Sequence, residues 1–259
     1  MRAAVLLKDV PDLVEDLELE ESGQALAVDV LSYVPSEWDD QALEEALLLK
    51  EDGGGTGPVE VHAIAIDTGD IDAMLFSALA KGADSATKLT GDFDRGLTSR
   101  QRARILATYL EGQAFDLVLT GVQAVDDLDG QIAGLLAGYL HWPHASVVRD
   151  VAVEDGQVRF VQEYAGGVMG EFRADGPVVL GIQAARKPPR YVPIARIRQI
   201  QRTSSLSEVS MERPEDAGHL AVRRLYRPES SSHAAMWDGD VDAVAAAIRA
   251  LLAEKQLGN

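Results

Sequence analysis

The sequence predicts an α/β fold: a doubly wound, mostly parallel sheet, an antiparallel β extension, and a C-terminal arm ending in a helix. Three observations predict it. Between Met1 and Leu140, apolar runs of strand length alternate with stretches of helical periodicity. After Pro143, four short alternating runs follow one another with turn residues between them. From Arg186 to Arg227 the chain turns basic, with ten Lys/Arg against four Asp/Glu, in a protein of net charge −18. The expected organisation is an α/β domain with its extension over residues 1–185, then an arm over residues 186–259.

Taken in order, Arg2 to Leu7 reads as a first strand and Val14 to Leu31 as an acidic, irregular excursion. Asp40 opens a helix, DQALEEALLLKE, with Ala42, Leu43, Ala46 and Leu47 at helical spacing; Glu44 and Glu45 are expected on its solvated face. Gly53-Gly54-Gly55 follows that helix and lacks a closing Gly-Lys-Ser/Thr, so it reads as a linker and not as a phosphate loop. Val59 to Ile66 is a strand. Asp70 is the expected cap of a helix carrying Ile71, Met74, Leu75, Ala78 and Leu79, stopped at Gly82. Ser85 to Leu89 is a short strand, and Thr98-Ser-Arg-Gln101 is a capping box opening a helix to Gly112.

Leu117 to Thr120 is the next strand, and Gln131 to Leu140 a helix ended by Trp142-Pro143. The turn between them lies where open α/β sheets bind ligands, at the carboxyl edge. With Asp129 or Gly130 capping the helix, free backbone N–H groups there suit a phosphate. The alternative, that Asp126, Asp127 and Asp129 are only turn and cap residues, stays open on these residues alone. The four runs of the extension are Ser146 to Val153, Val158 to Tyr164, Val168 to Arg173 and Val178 to Gln183, with Asp155-Gly156 and Gly166-Gly167 as hairpin turns. Lys187-Pro-Pro-Arg190 breaks regular structure, and Val241 to Leu252 is a final helix.

Composition excludes several classes. The acidic net charge argues against nucleic acid and against direct insertion or adsorption at anionic membranes. No run approaches the ~20 apolar residues of a span. The first residues are too short an apolar stretch for a secretory signal, which favours the cytoplasm. Without cysteine there are no disulfides, thiolate ligands or cysteine nucleophiles. His141 and His144 lack a third ligand, no metal site is expected, and no nucleophile–base–orienter set stands out. The residues describe a binding protein without a stand-alone catalytic site.

Six segments carry a resemblance. Ser36-Glu-Trp-Asp-Asp-Gln-Ala-Leu-Glu-Glu-Ala46 resembles the Asn-Pro-Phe/Trp-Asp-Glu-x-Ala-x-Glu-Glu-Ala segment of electron-transfer flavoprotein β subunits. So do Ala78 to Asp84, Gly121 to Ala124 with Asp126, Ala137 to Pro143, Glu163 to Gly167 and Pro189-Arg-Tyr191, in the same order over essentially the whole chain. The variants look most like the subgroup serving methylated-amine dehydrogenases.

The resemblance implies one subunit of an αβ heterodimer that shuttles electrons. Its redox FAD is held mainly by the α subunit; primary flavin dehydrogenases reduce it and a membrane quinone oxidoreductase accepts its electrons. In this subunit it implies a structural AMP, held by Leu6, by Ser36, Glu37, Trp38 and Asp39, and by Ile66. The rest of the shell is Gly121, Val122, Gln123, Ala124, Val125, Asp126, Asp127, Leu128, Asp129, Gly130, Gln131 and Ile132. Leu13 falls where the family often has a Tyr near the redox flavin. Glu163 is implied at the α-subunit surface; Arg190, Tyr191 and Ile194 are implied to dock the dehydrogenase, Ile194 as an apolar anchor. Many members have Asn-Gln-Thr in place of Gly130-Gln131-Ile132 and Asn in place of Ser36. Electron-bifurcating relatives, with Val at the position of Ile132, bind a second FAD there, and that alternative stays open. A universal-stress-type adenine-nucleotide protein shares the architecture but needs a final glycine cluster absent here.

Overall fold

The computed structural model describes residues 1–53, 57–127, 129–215, 222–227 and 236–255. Eight of its strands follow the expected run along the chain: β1 (Arg2–Leu7), β4 (Glu60–Ile66), β5 (Ser85–Thr90), β6 (Leu117–Gly121), β7 (His144–Glu154), β8 (Gln157–Glu163), β9 (Met169–Ala174) and β10 (Val178–Ile182). Between them lie α1 (Glu37–Glu51), α2 (Asp72–Lys81), α3 (Ser99–Leu110) and α4 (Ile132–Leu140). The short β2 (Asp9–Pro11) and β3 (Tyr33–Pro35) form a separate antiparallel pair at the two ends of the acidic excursion. The tail adds α5 (Ile194–Thr203), β11 (Ser207–Ser210) and α6 (Val241–Glu254).

One sheet of nine strands has the order β11-β5-β4-β1-β6-β10-β7-β8-β9. Helices α1 and α2 cover one face, against Ala3, Val5 and Leu7; α3 and α4 cover the other, against Ala4, Leu6 and Ile64. Because both faces are buried, the central strands read as continuous apolar runs. The chain reverses direction of winding beside β1, so the carboxyl ends of β1 and β6 open the crevice that such sheets offer a ligand.

The expectations of a doubly wound sheet, an antiparallel extension and a terminal helix hold. Differences lie in the details. Helix α1 begins at Glu37, three residues before Asp40. Helix α2 is preceded by Ile71, and Asp70 does not cap it. The capping box at Thr98 and Gln101 is present, with both reciprocal bonds. Strands β7, β8 and β9 are antiparallel, with Asp155 and Gly156 at positive φ in the first turn and Gly166 and Gly167 in the second. The fourth run, β10, is not: it inserts between β6 and β7, parallel to both. Its five residues, Val178 to Ile182, are all buried, as an interior parallel strand requires.

The arm differs most. After β10 the chain runs along α1, packs α5 on α2, and delivers β11 parallel to β5 at the far edge of the sheet. Part of the arm is therefore a strand of the main sheet. Neither α5 nor β11 was legible in the sequence: α5 has no buried residue, and four residues of β11 are too few to show a period. Among the described residues no helix is long and apolar enough to cross a membrane.

Candidate functional site

A cleft of about 540 Å³ opens at the carboxyl ends of β1, β4 and β6. Leu6, Ile66, Leu106 and Ile132 supply its apolar walls; Gly121, Val122, Gln123, Ala124, Asp127 and Gly130 form its rim, and Lys8, Asp39 and Arg102 its charged groups.

The loop after β6 is built by short-range bonds. Ala124 and Asp127 exchange backbone hydrogen bonds at 3.2 and 3.0 Å, and the Gly130 N–H donates to the Asp127 carbonyl at 3.3 Å. Asp126 pairs with the Lys8 ammonium, and Asp127 accepts from the Ser99 hydroxyl at 2.9 Å. Asp129 accepts from the Gln131 amide at 3.4 Å and caps nothing. The residue before α4 is Gln131, with no side-chain cap, so neither Asp129 nor Gly130 plays the expected role. Several loop N–H groups, those of Val122, Ala124, Asp127 and Gly130, are spent inside the protein. What faces the cleft uncapped is the first turn of α4, beginning at Ile132. Uncapped N–H groups at the positive end of a helix favour an anion.

Two glycines fix the floor. A Cβ on Gly121 would lie 2.6 Å from Asp39 Oδ1 and 2.7 Å from Trp38 Cβ. Gly130 has φ +61°, and a Cβ there would lie 2.4 Å from the Val122 carbonyl oxygen. Asp39, in the first turn of α1, holds the rim together: Oδ1 accepts from the Gly121 N–H at 2.9 Å and Oδ2 from the Lys8 N–H at 3.0 Å. It clips the exits of the two strands that flank the crevice. Burial pushes its carboxyl up to about 7, against the pull of the Lys8 ammonium and the two N–H donors.

Arg102, from α3, is a cation that sequence reasoning missed. Its Nε donates to the Leu97 carbonyl at 3.2 Å, and among the described residues no carboxylate lies within 4.0 Å of it. Burial pushes its pKa down, with Asp126 and Asp9 opposing. The available signal was its place directly after the capping box, one turn into a helix beginning at the carboxyl edge. Lys8, Leu7, Leu106 and Thr120 also line the cleft without having been singled out.

Of the expected shell, the cleft brings together Leu6, Asp39, Ile66, Gly121 to Ala124, Asp127, Gly130 and Ile132. Ser36 lines an adjoining cavity of about 370 Å³ that shares Leu7, Lys8 and Asp39. Its hydroxyl is buried and has no partner among the described residues. Glu37, Trp38, Val125, Asp126, Asp129 and Gln131 line neither space, although Trp38 packs under Gly121. Leu128 lies outside the described residues. Leu13, just before the excursion, is exposed. Glu163, at the end of β8, stands 3.5 Å from Arg149. Tyr191 and Ile194 are exposed, at 83% and 63%, and Ile194 is the first residue of α5. Arg190 is turned away from solvent onto Glu44.

A sequence model described as the electron transfer flavoprotein domain matches residues 27–205. The chain belongs to the electron transfer flavoprotein family. It is similar to the electron transfer flavoprotein subunit beta of Methylophilus methylotrophus, 34% identical with 98% of each chain covered. The subunit beta of Sus scrofa is 28% identical, covering 83% of this chain and 89% of the relative. That of Homo sapiens has the same identity and coverage. The resemblance to β subunits therefore holds over the whole chain, and the family implies flavin chemistry and an α-subunit partner.

Proposed function

We propose that this chain is the β half of an electron-carrying αβ heterodimer and that its cleft holds a structural AMP. The observation that carries the nucleotide is the lining itself. Residues the family resemblance assigned from four separate segments, Leu6, Asp39, Ile66 and, after β6, Gly121 to Ala124, Asp127, Gly130 and Ile132, meet in one cleft with an uncapped helix end and a cation. The features fit the group: Leu6, Ile66, Leu106 and Ile132 suit a base, while the α4 N-terminus and Arg102 suit a phosphate. Gly121 and Gly130 keep clear the space a Cβ would fill.

The redox FAD belongs mainly to the α subunit and supplies the electron transfer; primary flavin dehydrogenases donate and a quinone oxidoreductase accepts. This chain contributes binding and orientation and no catalytic group of its own. Residues 1–185 serve the nucleotide and the α subunit, with Glu163 facing the latter; residues 186–259 reach partners, through Tyr191 and Ile194. The setting is the cytoplasm. Coexpression with the α subunit tests the reading: a yellow heterodimer is expected, with this chain alone colourless. Mass spectrometry of released ligands should give one FAD and one AMP. Two FAD would replace the AMP with the bifurcating type, and no nucleotide beyond one FAD would remove the cleft from the reading.

A further inference from the structure

Between β10 and α5 the chain passes through Gln183 to Pro193 without a ladder partner, and Pro188, Pro189 and Pro193 deny it one. Three of its backbone N–H groups donate instead to side chains of α1. Gln41 Oε1 accepts from the Ala185 N–H at 2.9 Å, Glu45 Oε2 from the Arg186 N–H at 2.9 Å, and Glu44 Oε2 from the Arg190 N–H at 3.0 Å. The side chains repeat the pattern. Arg190 Nε and Nη2 fork onto Glu44 at 2.8–3.1 Å while Nη1 donates to Glu51 at 2.6 Å. Arg186 spans Glu45 and Asp52 at 2.8 and 2.7 Å. The Glu44 side chain is only 4% exposed and that of Glu45 0%. The expectation that both face solvent is overturned.

We propose that the Glu44–Arg190–Glu51 clasp is a positioning device for partner docking: it fixes the residue next to Tyr191 and so presents the Tyr191–Ile194 knuckle in one orientation. This rests on the reading that the knuckle docks a dehydrogenase. The residue before the knuckle is held by main chain and side chain at once, which a single surface ion pair does not achieve. α5 rests on α2 with only Ile197 and Ile200 half-buried and no residue fully buried, so apolar packing holds the knuckle less firmly than the clasp does. A forked guanidinium–carboxylate pair is directional and defines position and angle together. With the knuckle ordered beforehand, docking loses less conformational freedom, and the gain appears in affinity. Glu44 acts through Arg190 and touches no reacting group.

The test uses the assembled αβ heterodimer, with a methylated-amine dehydrogenase reduced by its amine as the probe. Glu44→Gln and Arg190→Lys each give up the charged fork. Each should raise KM for the heterodimer about threefold to tenfold, with kcat within about twofold and FAD content unchanged. Ile194→Ala should raise KM by one to two decades. Combined with Ile194→Ala, Glu44→Gln should add nothing further, because a misaimed knuckle matters only while it carries its anchor. Fully multiplying effects, or wild-type KM in both clasp variants with Ile194→Ala impaired, would overturn the clasp's role alone. Wild-type KM in Ile194→Ala would overturn the docking reading, and the proposal with it. Should Glu44→Gln assemble poorly, Arg190→Lys carries the same comparison with the positive charge retained.

Discussion

At its first turn, helix α1 buries Asp39 against two backbone N–H groups; at its second and third, it buries Glu44 and Glu45 against two guanidinium groups. The carboxylates share a helix and differ in what compensates them. For Asp39 the donors are dipoles with one ammonium nearby, burial wins, and the pKa rises to about 7. For Glu45 burial also wins and raises the carboxyl in spite of Arg186. For Glu44 burial raises it too, but the fork and N–H of Arg190 outweigh that and leave it below the ordinary carboxylate value. A buried acid held by neutral dipoles stays poised to change charge near neutrality. Where the guanidinium outweighs burial, as Arg190 does at Glu44, the carboxylate is held as a fixed ionic strut.

The sharpest way to break this contrast is to remove a guanidinium-paired carboxylate. Glu45→Ala leaves the Arg186 Nε, the Arg186 backbone N–H and the Val151 N–H without this acceptor, while Arg186 keeps Asp52. Breaking a buried pair typically costs about 3–5 kcal/mol. Chemical denaturation of the heterodimer should show that loss, and a change below about 1 kcal/mol would mean that water replaces the carboxylate and that the strap is not pinned there.

Asp39→Asn separates the two kinds of carboxylate by pH. The folded pKa of about 7 lies above the ordinary 3.8, so in that window the native state holds the extra proton. Stability therefore falls as pH rises from about 4 to 7 and levels off above, by at most about 4 kcal/mol. His62, pushed down by burial and by Arg2, opposes this, since its neutral form loses stability as pH falls below 6.5. Subtracting the stability curve of Asp39→Asn from that of the wild type isolates Asp39; parallel curves would show that its carboxyl titrates as in the unfolded chain.

At the rim that Asp39 clips, Gly130→Val forces a branched side chain into φ +61° and against the Val122 carbonyl. Bound nucleotide should fall, and with it roughly 3 kcal/mol of ligand-linked stability at a hundredfold excess over Kd. Full nucleotide content with an unchanged Tm would detach the loop from the site. The smallest effect is expected where an ion pair is open to water. Glu163→Ala breaks its contact with Arg149, a half-exposed pair contributing about 0–1 kcal/mol. The proposed role at the α-subunit surface predicts an altered electron-transfer rate at constant flavin content. Equal rates with several acceptors would leave Glu163 as an ordinary surface partner of Arg149.

Periodicity, caps and turn residues made most of the sheet and its four covering helices legible, because each is written in neighbouring residues. The alternation from Arg2 to Leu140, the Thr98–Gln101 box and the Asp155-Gly156 and Gly166-Gly167 turns all carry local signals. The cleft was legible as a set of segments, since a strand-to-helix turn at a carboxyl edge is recognisable wherever it falls. What each side chain does there was not. Asp126, Asp127 and Asp129 read alike in sequence, yet they meet Lys8, Ser99 and Gln131 respectively. Arg102 enters the cleft only because α3 packs beside α4.

By itself, then, the sequence determined the order of elements, the alternating winding and the place of the crevice, all consequences of short-range pattern. Tertiary structure alone decided three things: that β10 lies parallel between β6 and β7, that the basic tail returns to the sheet as β11, and that Glu44 and Glu45 are buried. Their partners Arg186 and Arg190 are more than 140 residues away in the chain. A charged pair on a helix has no local feature that reports a distant guanidinium, and only the completed fold brings the two within hydrogen-bonding reach.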